Sequence, residues 1–168
     1  MALTTRLQVI ANAHLQSALD LVTAEAKLAK QWAVDLATGT GADQADKVFS
    51  DQRTLTASAT EDLDLAGSLV DALGATITFA RIKALIIRAA SGNTNNVVIG
   101  AAGANPWTGP LGGTTPTITL RPGGLVCLIA PDATAWAVTA GTGDLLKVAN
   151  SAGSTSVTYD IVIIGASA

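Results

Sequence analysis

The chain contains one histidine, His14, and one cysteine, Cys127, so the usual nucleophile and base types are almost exhausted. A Ser–His–Asp or Cys–His site would need His14, predicted to lie in an N-terminal arm, to meet residues of a separate β domain. One histidine and one cysteine cannot close a structural zinc site. The other concentration of chemistry is acidic: Asp43, Asp46, Glu61, Asp62 and Asp64. Loop oxygens of this kind can hold calcium, but the spacing matches no EF-hand loop. Asp62 and Asp64 alternate as on an outward strand face, so the cluster reads as a solvated or partner-facing edge. Paired carboxylates for glycoside hydrolysis would also need an aromatic-lined cleft; Tyr159 is the only tyrosine, and the tryptophans are dispersed. GTGADQ (39–44) and GATIT (74–78) lack the lysine and following helix of a phosphate loop. No catalytic residue, metal site or cofactor is expected.

Composition narrows the class. Hydrophobic residues make up 49% of the chain, but aromatics only 4% and charged residues 14%, so Ala, Gly and Thr fill the interior and the turns. That is the palette of a small-residue sandwich, not of an aromatic sugar-binding or nucleic-acid-binding surface. The net charge of −3 gives no general attraction to nucleic acid or to an anionic membrane. Residues 1–76 hold ten acids and five bases, whereas residues 77–168 hold three acids and five bases. This asymmetry suits either a complementary homotypic contact or solvated loops in the first half. No apolar run approaches the ~20 residues of a membrane span. The start, MALTTRLQVIANAH, lacks the charged region and apolar block of a signal peptide.

Two organisational units are predicted: a helical arm over 1–30 and a β-sandwich over 31–168. Within 5–30, Val9, Ala13, Leu15, Ala18, Leu19, Val22 and Ala26 recur at spacings of three and four, the mark of an amphipathic helix. A lone helix ahead of a sandwich must bury its stripe on its own domain or on a symmetry mate.

The β unit centres on ITFARIKALIIR (77–88), the most β-prone run. Its alternation sets Ala80, Ile82, Ala84 and Ile86 on one face and Arg81, Lys83, Leu85 and Ile87 on the other. It reads as solvated on one side early and buried on both sides late. Further strands are predicted over 31–38, 47–55, 59–67, 97–100, 117–121, 125–130, 135–139, 144–150 and 156–166. Cys127 falls in the buried strand 125–130 and reads as a core thiol. Trp32 and Trp136 read as core residues. Residues 101–116 form a long Gly/Pro loop in which Trp107, between Pro106 and Pro110, is either an interface anchor or a plug folded onto the sandwich. The expected fold is mainly β: an antiparallel sandwich or jelly roll of about 8–10 strands with a helical arm.

Several stretches, among them LATGTGADQADKVFSDQRTL (36–55), EDLDLAGSL (61–69), TFARIKALII (78–87), SGNTNNVVIG (91–100), WAVTAGTGDLLKVANS (136–151) and VTYDIVIIGAS (157–167), resemble small virion structural proteins of tailed bacteriophages. The resemblance covers residues 33–168 and rests on structural rather than catalytic motifs. It implies a jelly-roll-like sandwich on the outside of a capsid, acting as a decoration or cement protein. A head-fibre or tail-associated receptor- or glycan-binding module is the alternative it allows. The implied partners are the major capsid protein and further copies of the chain, a homotrimer first and a dimer next. The implied setting is the virion surface after synthesis in the bacterial cytoplasm. Contact residues are then expected in the arm (Leu7, Ile10, His14, Leu15) and in the long loop (Trp107, Pro110).

Overall fold

The computed structural model describes residues 2–168, and the fold is mainly antiparallel β. The N-terminus is not a helix. Strands β1 (Thr5–Ala18) and β2 (Thr23–Thr38) pair in register over their full length as a two-stranded ribbon. The turn is closed by the Leu19 amide donating to the Val22 carbonyl at 2.9 Å. The apolar spacing that suggested a helix contains a second period. Leu7, Val9, Ala11, Ala13 and Leu15 alternate with Arg6, Gln8, Asn12, His14 and Gln16, and Ala24, Ala26, Leu28, Trp32, Val34 and Leu36 do the same on β2. Alanine favours helices intrinsically, but period-two alternation gives two paired strands one continuous apolar face. The arm therefore extends to Thr38 and absorbs the strand predicted over 31–38.

The chain then runs through the short β3 (Gln44–Ala45), β4 (Lys47–Leu55), β5 (Thr60–Asp64) and a miniature hairpin, β6 (Leu69–Val70) and β7 (Thr76–Ile77). It continues as β8 (Arg81–Ala89), β9 (Val97–Gly100), β10 (Thr117–Leu120), β11 (Leu125–Ile129), β12 (Trp136–Ala137), β13 (Leu145–Asn150) and β14 (Val157–Ala166). One sheet has the order β11-β8-β14-β4, with β12 also paired to β8; a second has the order β10-β9-β13-β5. Their inner faces share one core. Phe49, Ile82, Leu85, Ile87, Tyr159, Ile161 and Ile163 from the first sheet meet Leu63, Val97, Ile99, Leu120, Leu146 and Val148 from the second. This is a sandwich-like arrangement of two sheets.

The predicted central strand is central: β8 lies between β11 and β14. It starts at Arg81, and its simple alternation fails. The register against β14 shifts between Ile164 and Gly165, a β-bulge opposite Ile82–Ala84. The extra residue turns Ile82 to the main core with Leu85 and Ile87, and leaves Ala84 and Ile86 on the outer face. Lys83, expected on the solvated face, is fully buried at the bulge. Strand β11 is an edge strand with Leu125 exposed and Cys127 half-buried, not a fully buried one. Partial burial still pushes the Cys127 thiol above its ordinary pKa. Trp32 is not in the core; it stands on the ribbon, 57% exposed. Trp136 is half-buried against the core.

The base of the ribbon packs on the outer face of the larger sheet. Leu7 and Leu36 are buried with Ala45, Ala84 and Ile164, and Val34, Ile86, Ile129 and Val162 pack around them. Beyond that point the ribbon leaves the sheet. From Gln8 to Ala33 every residue except Ala11 is exposed.

Candidate functional site

The residues with catalytic potential are not brought together. His14 lies on the ribbon, where its Nε2 is 3.4 Å from Glu25, itself 2.8 Å from Lys27. Cys127 lies on an edge strand of the sandwich. Asp62 and Asp64 project from β5 away from the core; Asp64 accepts a hydrogen bond from the Ala66 amide at 2.8 Å. Asp46 binds Ser167 at the far end of the chain, accepting from its amide at 2.8 Å. Among the described residues no three His, Cys, Asp or Glu side chains are grouped to hold a metal ion.

Glu61 departs from this solvated pattern. It points into the sandwich, opposite Val148 on β13, and crosses to the other sheet. One carboxylate oxygen accepts from the Tyr159 hydroxyl at 2.6 Å and the other from Arg53 Nε at 2.6 Å. Arg53 also reaches Asp51 at 2.8 Å. Arg53 and Tyr159 are register partners on β4 and β14, so a single carboxylate ties both strands to β5. Tyr159 is completely buried, and a buried phenol needs a partner for its hydroxyl. Burial first, and the Glu61 carboxylate second, raise its pKa well above the ordinary 10.0. An acid whose folded pKa is raised holds its proton more tightly when folded, so this stabilising term is present below pH 10 and declines as pH rises above it. Tyr159 is the only tyrosine. The folded protein is therefore expected to show no tyrosinate absorbance at pH 10, with ionisation arriving only as the chain unfolds at higher pH. A native titration centred near 10 would contradict the clamp. Tyr159→Phe should remove the alkaline loss of stability.

Lys83 forms a second internal tie. Its ammonium donates to the carbonyl oxygens of Gly41 at 3.0 Å, Pro131 at 3.4 Å and Asp132. Desolvation, and then repulsion from Arg81, lower its pKa. The lysine pins the 39–43 and 130–134 loops together beside the base of the ribbon. Lys83→Met would retain the stem and strip the Gly41 and Asp132 carbonyls of this donor, while the Pro131 carbonyl keeps the Asp43 amide at 2.8 Å. A loss of about 2 kcal/mol is expected in denaturant unfolding.

The long loop does not present Trp107. The ring is 2% exposed, its Nε1 donates to the Ala137 carbonyl at 2.9 Å, and it packs edge-on against Trp136 with ring centroids 6.4 Å apart. Of the two roles open to this position, it has the plug. Pro110 is half-buried in the 3-10 turn Gly109–Leu111.

What the surface does present is the ribbon. Opposite residues on paired strands share a face, so the register assigns its two sides. One side carries Val9 with Trp32, Ala11 with Lys30, Ala13 with Leu28, Leu15 with Ala26, and Ser17 with Ala24. The other carries Arg6 with Asp35, Gln8 with Ala33, Ile10 with Gln31, Asn12 with Ala29, His14 with Lys27 and Gln16 with Glu25. The polar side is largely self-satisfied. Arg6 bonds both oxygens of Asp35 at 3.1 Å, and Gln16 donates to Glu25 at 2.9 Å. The apolar side continues the face that is buried at Leu7 and Leu36, yet Val9 (43%), Trp32 (57%), Leu28 (51%) and Leu15 (73%) are open. Of the arm residues expected at a contact, Leu7 is buried at the base, Leu15 is on the open apolar side, and Ile10 and His14 are on the polar side. The alternation that marks this face is visible in the sequence once period two is tested against period 3.6.

No family model matches the chain, and no curated protein or solved structure is significantly similar to it.

Proposed function

We propose that this protein is a non-enzymatic structural component of a tailed-phage virion. In this reading it binds the outside of the capsid shell as an oligomer and stabilises the lattice. The observation that carries the reading is the ribbon, an arm of two long paired strands that leaves an apolar face uncovered. A large uncovered apolar patch marks an association surface. The arm stands on a sandwich whose polar residues of chemical interest serve as internal ties. Protein-binding energy, rather than chemistry, is what such a body can supply. A ligand that binds only an assembled lattice stabilises it by mass action.

The fold part of the reading is a jelly roll. Strand order supports it. Eight main strands divide into two sheets of four, and the chain changes sheet at every step except β9 to β10. The resulting orders, sixth-third-eighth-first and fifth-fourth-seventh-second, suit two interlocked Greek keys. The oligomer is proposed as a trimer, with a dimer next, since local symmetry axes of a lattice favour cyclic assemblies. The glycan-binding alternative centred on Trp107 loses its main support because that ring is buried.

Quantitative mass spectrometry of purified particles tests the proposal. Hundreds of copies, in a simple ratio to the major capsid protein, are expected. A handful of copies would assign the protein to a neck, tail or fibre and overturn the decoration role.

A further inference from the structure

We infer that the apolar side of the β1–β2 ribbon is a homotypic interface, occupied by the same side of the ribbon in a second copy of this chain. The inference deepens the self-association part of the proposed function and is independent of its capsid part.

An isolated two-stranded hairpin is at best marginally stable in water. This one runs through 14 and 16 residues and touches its own sandwich only at the base. The overhanging part, from the Val9–Trp32 row to the Ser17–Ala24 row, is on the order of 30 Å long and 10 Å wide. Closing two such faces on each other removes on the order of 1,000 Å² of accessible surface, counted over both copies, which reaches the lower bound for a specific interface. The apolar face is continuous with a buried cluster at Leu7, Leu36 and Val34, so the same chemistry that is covered at the base is left open beyond it.

The rows also fit a second copy. Leu15 stands opposite Ala26, and Leu28 opposite Ala13. Large and small side chains therefore alternate across the face, which lets two copies interdigitate, and Lys30 is the only charged side chain on the open face. Its stem lies over Ala11 while the ammonium reaches the edge. The side left outward is the polar one, with its Arg6–Asp35 and Glu25–Lys27 pairs already made. A partner chosen for charge would find nothing complementary on this face. Closed symmetry then satisfies every copy identically.

The test is the solution mass of the full chain and of two variants, by light scattering coupled to size exclusion. The wild type is expected to run as two chains at micromolar concentration, the dimer that a face-to-face pair closes. Leu15→Asp combined with Leu28→Asp, on the apolar side, should give a monomer with an unchanged far-ultraviolet spectrum of the sandwich. Asn12→Asp on the polar side should leave the mass unchanged. A monomeric wild type, or an apolar-side variant that keeps its mass, overturns the inference. Hydrogen exchange on the wild type decides the matter if the double variant does not fold. Amides of 9–17 and 24–32 should be protected to the level of the sandwich strands, and exchange within seconds would overturn the inference. Loss of particle association with the oligomer intact would remove the capsid reading alone.

Discussion

Glu61→Ala is expected to lower the unfolding free energy by about 3 kcal/mol and the melting temperature by roughly 6–12 °C. The carboxylate is the sole bridge between Tyr159 on β14, Arg53 on β4 and the opposite sheet. Its removal leaves a phenol hydroxyl without a partner in the core and a guanidinium with only Asp51. A buried donor stripped of its acceptor bears its full desolvation cost, which exceeds the net worth of the hydrogen bond itself. The same reasoning predicts non-additivity. Tyr159→Phe removes the stranded hydroxyl, so the double variant should lose less than the sum of the two singles. A melting shift under about 2 °C for Glu61→Ala would show that the clamp adds little.

Gly165→Ala is expected to cost about 3 kcal/mol, at the upper end for overpacking. A β-carbon there would overlap the Arg81 carbonyl oxygen and lie 2.7 Å from Phe79 Cδ1. The obstruction on one side is backbone, held by the pairing of β14 with β8 at the bulge, so no side-chain rotation relieves it. The bulge has a consequence for the arm. It places Ala84 on the outer face, where Leu7 and Leu36 of the ribbon dock. A variant that straightens the register would turn that face over. Gly67→Ala is the control, because a β-carbon there meets nothing within 4 Å. The control should melt within about 2 °C of the wild type. Equal losses in both variants would point to a general glycine effect instead of the close approach.

Much of the sandwich was legible in the residues. Strands over 47–55, 97–100, 144–150 and 156–166 appear within one residue of their predicted limits. There the alternation of Val157, Tyr159, Ile161 and Ile163 is unbroken and β-branched residues abound. The arm carries two competing periods. Its alanine content and three-and-four spacing favour a helix over the period-two alternation, and its turn, Leu19–Val22, offers only Asp20 as a turn former. The charge clamp was hidden for another reason. Glu61 shares the inward parity of Leu63, opposite to Asp62 and Asp64, but nothing local names the Tyr159 and Arg53 that it meets there.

By itself, then, the sequence determined the β character of residues 47–166, the main turn positions and the poverty of catalytic groups. These follow from local alternation, turn chemistry and composition, which act within a few residues. Tertiary structure alone decided that β1 and β2 pair into a ribbon, that a bulge reverses the faces of β8, and that Glu61 meets Tyr159. The last contact joins residues 98 positions apart. Such contacts depend on which sheets face each other, and the energy of a cross-sheet hydrogen bond leaves no periodic trace along the chain.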